Sequence, residues 1–471
     1  MGRQKAAIGM IGLGVMGRNL LLNMADHGFA VAGYDRDPEK VAALASEGTG
    51  KPVAAEKELA NFLGRLKTPR TVMLLVPAGA PVDAVIAELL PHLAAGDLII
   101  DGGNSYFEQT ERRALELEKQ GVQFLGVGVS GGEEGARRGP SIMPGGSREA
   151  YARVQGLFEA VAAKVEGAPC VTWLGPGSAG HYVKMVHNGI EYGLMQLIAE
   201  SYDFMKRGLG LDNRRLREIY QQWNRGALNS FLLEITGDIF GQIDDRTGKD
   251  RIDVILDAAR QKGTGMWTSQ HAMSLQVPIP VIDMAVMMRS LSGYKAEREM
   301  AARDLGSGAQ RSGEEPEALL GALENALYAA MVLTYAQGLA LLQKASAERN
   351  YGLNLAEVAS IWRGGCIIRA ALLDDLASAY RRQPGLTHLL FDRELAQKVL
   401  ERQQDLRRVV GSAVQLAIPI PALMAALAYF DGFRSAWLPA NLIQAQRDYF
   451  GAHTYERIDA AGIFHSAWKR R

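Results

Sequence analysis

Residues 6–37 read AAIGMIGLGVMGRNLLLNMADHGFAVAGYDRD. Ala6–Ile11 is an apolar run of strand length, and Gly12-Leu13-Gly14-Val15-Met16-Gly17 follows it directly. A helix is expected from about Arg18 to His27, closed by Gly28, and a second strand over Ala30–Tyr34 finishes at Asp35. Strand, glycine turn, helix and strand in that order form the opening unit of a dinucleotide fold. Gly12 makes the tight turn, Gly14 lets a pyrophosphate approach, and Gly17 lets the helix lie close to the strand. The pyrophosphate then rests on free amide groups at the helix N-terminus.

Further strands are expected at Thr71–Val76, Leu98–Asp101 and Gln123–Val129, with a last pair near Ser141–Pro144 and Val171–Leu174. Each of the first three runs into a polar or glycine-rich loop, where a parallel sheet presents its ligands. Val76, Pro77 and Ala78 begin one such loop, Gly102–Ser105 forms the next, and Ser130-Gly131-Gly132 opens the third. Asn104 either contacts the nicotinamide ribose or the substrate, or caps the following helix. At the ribose end the residues point two ways. Asp35 can accept from a free 2′-hydroxyl, as NAD offers, whereas Arg36 can hold the 2′-phosphate of NADP beside a second acid, Asp37.

The chain has 471 residues and is 48% hydrophobic, enough for two or three domains. Its 52 basic and 52 acidic residues cancel, which argues against nucleic-acid binding. Two cysteines make no disulfide framework, so a reducing cytoplasm is the expected setting. The apolar run Val409–Phe430 carries Ser412, Gln415, Pro419 and Pro421, and reads as a broken, buried helix pair, not a membrane span. No metal-ligand cluster is expected.

After residue 178 the pattern is helical. Gly177–Gly193, GSAGHYVKMVHNGIEYG, begins a long helix whose Lys184, His187, Asn188 and Glu191 share one stripe among apolar neighbours. That stripe is expected to face a cleft, with Lys184 and Glu191 about 10 Å apart along the axis. A rough echo follows: Trp223 and Gly226 recur as Trp362 and Gly365, each pair after a long apolar helix. Lys262, Gly263 and Thr264 suggest a phosphate nest or a helix C-cap. Arg289 lies in an apolar helix and wants an anionic partner. In the aromatic tail, Arg447 and His453 offer further cationic contacts.

These blocks together, MIGLGVMGRNL, VSGGEEGARRGPSIMPGG, GHYVKMVHNGIEYG, QKGTGMWTSQ and LPANLIQAQRDYFGAHTYERID, closely resemble the decarboxylating 6-phosphogluconate dehydrogenases of the long type. The resemblance spans essentially the whole chain. It implies an α/β Rossmann-type domain (1–178), a large all-α domain with internal duplication (179–440) and a short tail (441–471) inserting into the partner of a homodimer. It implies oxidation and decarboxylation of 6-phosphogluconate with NADP, the oxidative branch of the pentose phosphate pathway. Lys184 then matches the base and Glu191 the acid. Asn104, Ser130, Gly131, Gly132, His187 and Asn188 match residues near the reacting acid. Tyr192, Lys262, Thr264 and Arg289 match the grip on hydroxyls and phosphate, joined by Arg447 and His453 from the other subunit. The cofactor set is Gly12 to Gly17, Asp35, Arg36, Asp37, Val76, Pro77, Ala78 and Asn104. Asp35 and Asp37 depart from the family's usual residues, which keeps NAD as the alternative cofactor. Two other readings are a related dehydrogenase of an unphosphorylated β-hydroxyacid and a nucleotide-sensing dimer without activity. The first leaves the cations without a common anion, and the second leaves the Lys184–Glu191 pair unexplained.

Overall fold

A computed structural model describes residues 5–306 and 308–468. Its N-terminal part is a seven-stranded sheet in the order β3-β2-β1-β4-β5-β6-β7. The strands are β1 (Ile8–Ile11), β2 (Val31–Tyr34), β3 (Val53–Glu56), β4 (Thr71–Leu74), β5 (Leu98–Asp101), β6 (Gln123–Ser130) and β7 (Ser141–Gly146). The first six are parallel, and β7 closes the edge antiparallel to β6. The strand order reverses between β1 and β4, the place where such sheets open a crevice for their ligand.

Two expectations about strands need correction. β3 was not anticipated, because an edge strand of half-buried residues lacks the continuous apolar run of its neighbours. Val171–Leu174 is no strand: only Val171 bridges Ile142, while Leu174 N–H reaches the Pro144 carbonyl. The helix of the glycine turn starts earlier than expected, at Val15, and runs to Asp26.

A short two-stranded pairing, Lys164–Val165 with Ala168–Pro169, follows the sheet, and past residue 178 the strands among the described residues are Tyr455–Glu456 and Ile463–Phe464, paired with each other amid helices. The central helix, Ala179–Asp203, begins directly on β6 and β7. It can do so because glycines meet there. A Cβ on Gly180 would lie 2.3–2.5 Å from Met143 O, Gly126 O and Gly145 N, and one on Gly128 would lie 2.4 Å from Lys184 Cβ. Backbone therefore rests on backbone, and the stem of Lys184 lies against the strand.

The internal echo extends well past the two tryptophans. Ala179–Asp203, Asn213–Trp223, Phe231–Ile239, Thr264–Ser274, Pro280–Ser292 and Lys295–Leu305 form the first series of helices. Pro316–Glu348, Leu355–Ile361, Leu372–Arg382, Arg393–Gln415, Pro421–Phe433 and Ala440–Gly451 repeat that series. Even the sequence before the fifth helix recurs, as VPIPVI (277–282) and AIPIPAL (417–423). The turns after the tryptophans pair with each other, Ser230 opposite Ala370, with Phe231 N–H on Arg369 O and Ala371 N–H on Asn229 O. The long helices of the two series pack together, as do Pro280–Ser292 and Pro421–Phe433.

Pro316–Glu348 is long and apolar enough to cross a membrane, but 78% of its most apolar window is buried inside the protein. It is a core helix. The run expected to be a broken pair does divide into Arg393–Gln415 and Pro421–Phe433.

Candidate active site

The glycine turn has the shape a dinucleotide requires. Gly12 takes φ +97°, and its Cβ would strike Leu75 O at 2.4 Å; a Cβ on Gly17 would lie 1.9 Å from Gly12 O. Gly14 faces open space, which leaves room above the helix N-terminus formed by Val15 and Met16. Asp35 locks this turn to the end of β2. Its carboxylate accepts from Leu13 N–H at 2.7 Å and from Asp37 N–H at 2.9 Å. Asp37 caps the next helix by accepting from Glu39 N–H (3.0 Å). Arg36 is exposed and donates to Glu88 at 2.5 Å, while Lys40 stands 3.4 Å from Asp37. A cavity of about 210 Å³ lies beside them, lined by Gly12, Tyr34, Arg36, Val76 and Pro77 among others. Its mainly apolar wall suits a purine ring. Ala78 continues that loop, half-buried, and Asn104 is exposed in the loop after β5. Asn104 does not cap the following helix, which starts at Phe107 without a side-chain cap.

Beyond the crevice the polar stripe of the central helix forms a compact cluster. Lys184 Nζ donates to Asn188 Oδ1 at 2.8 Å and lies 3.4 Å from His187 Nδ1. His187 Nε2 lies 3.4 Å from Ser130 Oγ, and its Nδ1 lies 3.9 Å from Glu191. Lys184, His187, Asn188 and Ser130 are buried, and Glu191 is half-buried. Burial pushes the Lys184 ammonium below its ordinary pKa, with Glu191 opposing. Burial pushes the Glu191 carboxyl up, with Lys184 and Arg289 opposing. Burial and the charge of Lys184 together hold His187 well below its usual range, so its ring is neutral. The helix thus carries a lysine biased toward the neutral amine and a carboxyl biased toward the acid, the protonation states a base and an acid need.

Gly131 and Gly132 follow Ser130 at the mouth of this cluster, both at positive φ. Tyr192, one residue after Glu191, is covered by the Arg289 guanidinium 3.3 Å from its ring centroid. Gly265 leaves space for the same ring, since a Cβ there would lie 2.5 Å from it. Thr264 is therefore beside Tyr192, at the first turn of a helix entered through Gly263 at φ +102°. The segment is a helix start, not the C-cap that was the other expectation. Lys262 is exposed just before it.

Arg447 and His453 are not brought to this cluster within one chain. Their contacts stay inside the tail: Arg447 donates to Gln444 (3.0 Å), and His453 meets the edge of Phe450. Asp448 folds that tail. Fully buried, it accepts from Thr454 N–H, His465 Nδ1, Ser466 N–H and Trp468 Nε1 at 2.8–3.1 Å. Leu442, Ile443, Phe450 and Ile463 nevertheless remain exposed.

Sequence reasoning missed what the second helical series contributes. Trp362 meets His187 edge to face, with ring centroids 5.6 Å apart. The Gly365 carbonyl accepts from Ser141 N–H (2.8 Å) and abuts Gly131, whose Cβ would lie 2.6 Å from it. The Trp–Gly echo was the signal, but only the fold shows that its second copy touches the site.

Two family models cover the chain: the NAD binding domain of 6-phosphogluconate dehydrogenase over residues 7–175, and the 6-phosphogluconate dehydrogenase C-terminal domain over residues 180–468. The NADP(+)-dependent, decarboxylating 6-phosphogluconate dehydrogenase of Bacillus subtilis is 51% identical over 99% of this chain and 100% of that protein. The decarboxylating enzyme of Synechococcus elongatus is also 51% identical, covering 98% of both. A solved Plasmodium falciparum 6-phosphogluconate dehydrogenase, studied in apo form and with NADP+ or 6-phosphogluconate, superimposes with a TM-score of 0.95 at 45% identity, over 98% of this chain and 100% of that one. With both parts matched in register and the site assembled between them, the chain belongs to the decarboxylating 6-phosphogluconate dehydrogenase family.

Proposed function

We propose that the protein oxidises and decarboxylates 6-phosphogluconate to ribulose 5-phosphate with reduction of NADP. The observation that carries this reading is the buried Lys184–His187–Asn188 cluster with Glu191 one turn on, set beside a dinucleotide crevice. Asp35 helps hold the turn, each of its oxygens accepting one backbone N–H. Arg36 and Lys40 are the cations available to a 2′-phosphate, Arg36 by exchanging Glu88 for it.

Gly12, Gly14, Gly17, Leu13, Val15 and Met16 hold the pyrophosphate, with Val76, Pro77, Ala78 and Asn104 along the remaining cofactor. When bound, NADP supplies the hydride acceptor. Neutral Lys184 takes the C3 hydroxyl proton as that carbon is oxidised. The resulting ketone is β to the carboxylate, so the C1–C2 bond breaks, its electron pair moves toward the ketone, and carbon dioxide leaves. Lys184 returns its proton to the developing oxygen, and Glu191 protonates the carbon that becomes C1 of the product. Ser130, Gly131, Gly132, His187 and Asn188 orient the carboxylate and hydroxyls. Tyr192, Lys262, Thr264 and Arg289 grip the phosphate end, completed by Arg447 and His453 of the partner subunit. The exposed apolar residues of the tail support its insertion into a second copy. Residues 1–178, 179–440 and 441–471 are the units of this scheme, and a reducing compartment such as the cytoplasm suits its two buried free thiols.

The test is to assay carbon dioxide and NADPH together, with 6-phosphogluconate and with an unphosphorylated β-hydroxyacid as substrates. One carbon dioxide per NADPH, dependent on the phosphate, is expected. NADPH without carbon dioxide, or equal turnover of the unphosphorylated acid, overturns the reading.

A further inference from the structure

We propose that Arg113 is a positioning residue for the cofactor, a clamp that fixes the spacing between the loops after β4 and β5 and so holds the two halves of the crevice in register. Arg113 lies on the helix Phe107–Glu118 and is 1% exposed. Its guanidinium is used on every edge. Nε donates to Asp83 Oδ1 (2.8 Å), and NH2 donates to Asp83 Oδ2 (3.1 Å) and to the Gly79 carbonyl (3.0 Å). NH1 points the other way, to Asp101 Oδ2 (3.4 Å) and Ser105 Oγ (3.3 Å).

These partners belong to different loops. Gly79 ends the loop after β4, and Asp83 lies in the helix Ala80–Leu89 that follows. Asp101 ends β5, and its carboxylate folds the next loop by accepting from Gly103 N–H (3.0 Å) and Ser105 Oγ (2.6 Å). The exposed Asn104 sits between those anchored residues. The loops also touch: a Cβ on Gly103 would lie 3.3 Å from Val76 O. In a doubly wound sheet β1–β3 serve the adenosine half and β4–β6 the other mononucleotide. Arg113 therefore anchors the β5 loop of the second half to the helix Ala80–Leu89, whose Pro81, Ala84, Val85 and Glu88 wall the adenosine-side cavity, through a planar fork that a lysine ammonium cannot reproduce. A buried charge with this many partners is costly to assemble and serves geometry more than stability.

The inference rests on the cofactor site described above. Its test compares NADP, which spans both halves, with 2′,5′-ADP, which occupies only the adenosine half, by isothermal titration. Arg113→Lys keeps the charge but not the fork, and is expected to weaken NADP, which needs both walls in register, about tenfold or more and 2′,5′-ADP, which needs one, by a clearly smaller factor. Asp101→Asn removes only the β5-side anchor, is nearly isosteric, and should shift the same ratio in the same direction if Arg113→Lys does not fold. Arg112→Ala, which loses exposed contacts to Asp83 and Glu116, should leave the ratio unchanged. Equal weakening of both ligands, or NADP binding unchanged in a folded Arg113→Lys or Asp101→Asn protein, overturns the proposal. Wild-type protein that binds neither ligand overturns the site reading itself.

Discussion

The two helical series are built alike and used differently. With Tyr192 set against Tyr335, the positions of Lys184, His187, Asn188 and Glu191 are taken in the second series by Leu327, Ala330, Met331 and Thr334. All four of these are buried, and Thr334 turns its hydroxyl back to the Ala330 carbonyl. One long helix therefore carries a buried polar cluster, while its counterpart places apolar or self-satisfied side chains at the same positions. The difference follows from what each helix meets. The first begins on the glycines of β6 and β7, beside the crevice. The second is covered by helices, chiefly Arg393–Gln415 and the central helix. Duplication supplied the frame, and contact with the sheet distinguishes the copy that carries the polar cluster.

The sharpest test exchanges side chains at matched positions. Lys184→Ala is expected to lower kcat by about 10²–10⁴-fold with NADP binding retained, the usual loss of a general base. Leu327→Ala is expected to do the reverse, costing about 2–5 kcal/mol of stability by opening a cavity while the folded enzyme keeps its kcat. Single-turnover rates and urea unfolding of both variants separate the two effects. A Lys184→Ala enzyme with wild-type turnover removes the proposed base.

The last helices of the two series differ as well. Lys295–Leu305 is followed by the next repeat, whereas Ala440–Gly451 continues into a folded tail. Removing residues 441–471 deletes Arg447 and His453, the two phosphate ligands proposed above, and is expected to raise KM for 6-phosphogluconate about 100-fold and to weaken assembly. Steady-state kinetics with analytical ultracentrifugation checks this. A truncated monomer with unchanged KM breaks the tail-exchange scheme. A mixed dimer sharpens it: with Lys184→Ala on one chain and truncation on the other, one site keeps both an intact helix and an intact partner tail, and half the activity should survive.

The paired Trp–Gly turns give a smaller contrast. Gly365 has φ +66°, and its Cβ would stand 2.4 Å from Gly139 O; Gly226 has nothing nearer than Trp223 O at 3.6 Å. Gly365→Ala is therefore expected to cost about 1–3 kcal/mol in backbone strain alone and to lower kcat by displacing Gly131. Gly226→Ala should stay within about 0.5 kcal/mol of wild type. Thermal unfolding and kcat of the pair decide it, and equal behaviour would mean the second turn has no special place in the site.

Local chemistry was readable ahead of the structure. The glycine turn needs three residues at fixed spacing, and the stripe of Lys184 to Glu191 follows from helical period, so both appear in a short window of sequence. The first tryptophan–glycine echo was visible for the same reason. Contacts between distant segments were not. Nothing near Gly365 announces that its carbonyl meets Ser141, and nothing near Arg113 shows that Gly79 and Asp101 flank it. Arg447 and His453 are a further case, since the place proposed for them needs a second chain. β3 escaped because Val53-Ala54-Ala55-Glu56 is a half-buried edge with little apolar signal.

The smallest expected effect concerns how the series cap each other. Gln337, on the second long helix, accepts from Val281 N–H at the start of Pro280–Ser292 (3.1 Å). Glu200, on the central helix, accepts from Ala422 and Leu423 N–H at the start of Pro421–Phe433 (2.8 and 2.9 Å). One cap is an amide and the other a carboxyl, and only the carboxyl titrates. Burial pushes Glu200 up to about 7, with Asp203 adding to the rise and the two N–H groups and Gln196 opposing it. The folded pKa then exceeds the unfolded one, so the folded state holds the proton more tightly. Stability from this group is complete below the unfolded value and declines as pH rises toward and through about 7. Glu200→Gln cannot ionise, keeps one carbonyl acceptor and loses one hydrogen bond. It should be less stable than wild type near pH 5.5, where the neutral carboxyl still offers an oxygen to each of the two N–H groups. Near pH 8.5 the lost bond and the relieved buried charge offset each other, leaving a difference of about 1 kcal/mol or less. The measurement is urea unfolding of both proteins across that range. Mutant and wild-type curves that run parallel in pH would show that Glu200 does not titrate there, and that the carboxyl cap behaves like its amide counterpart.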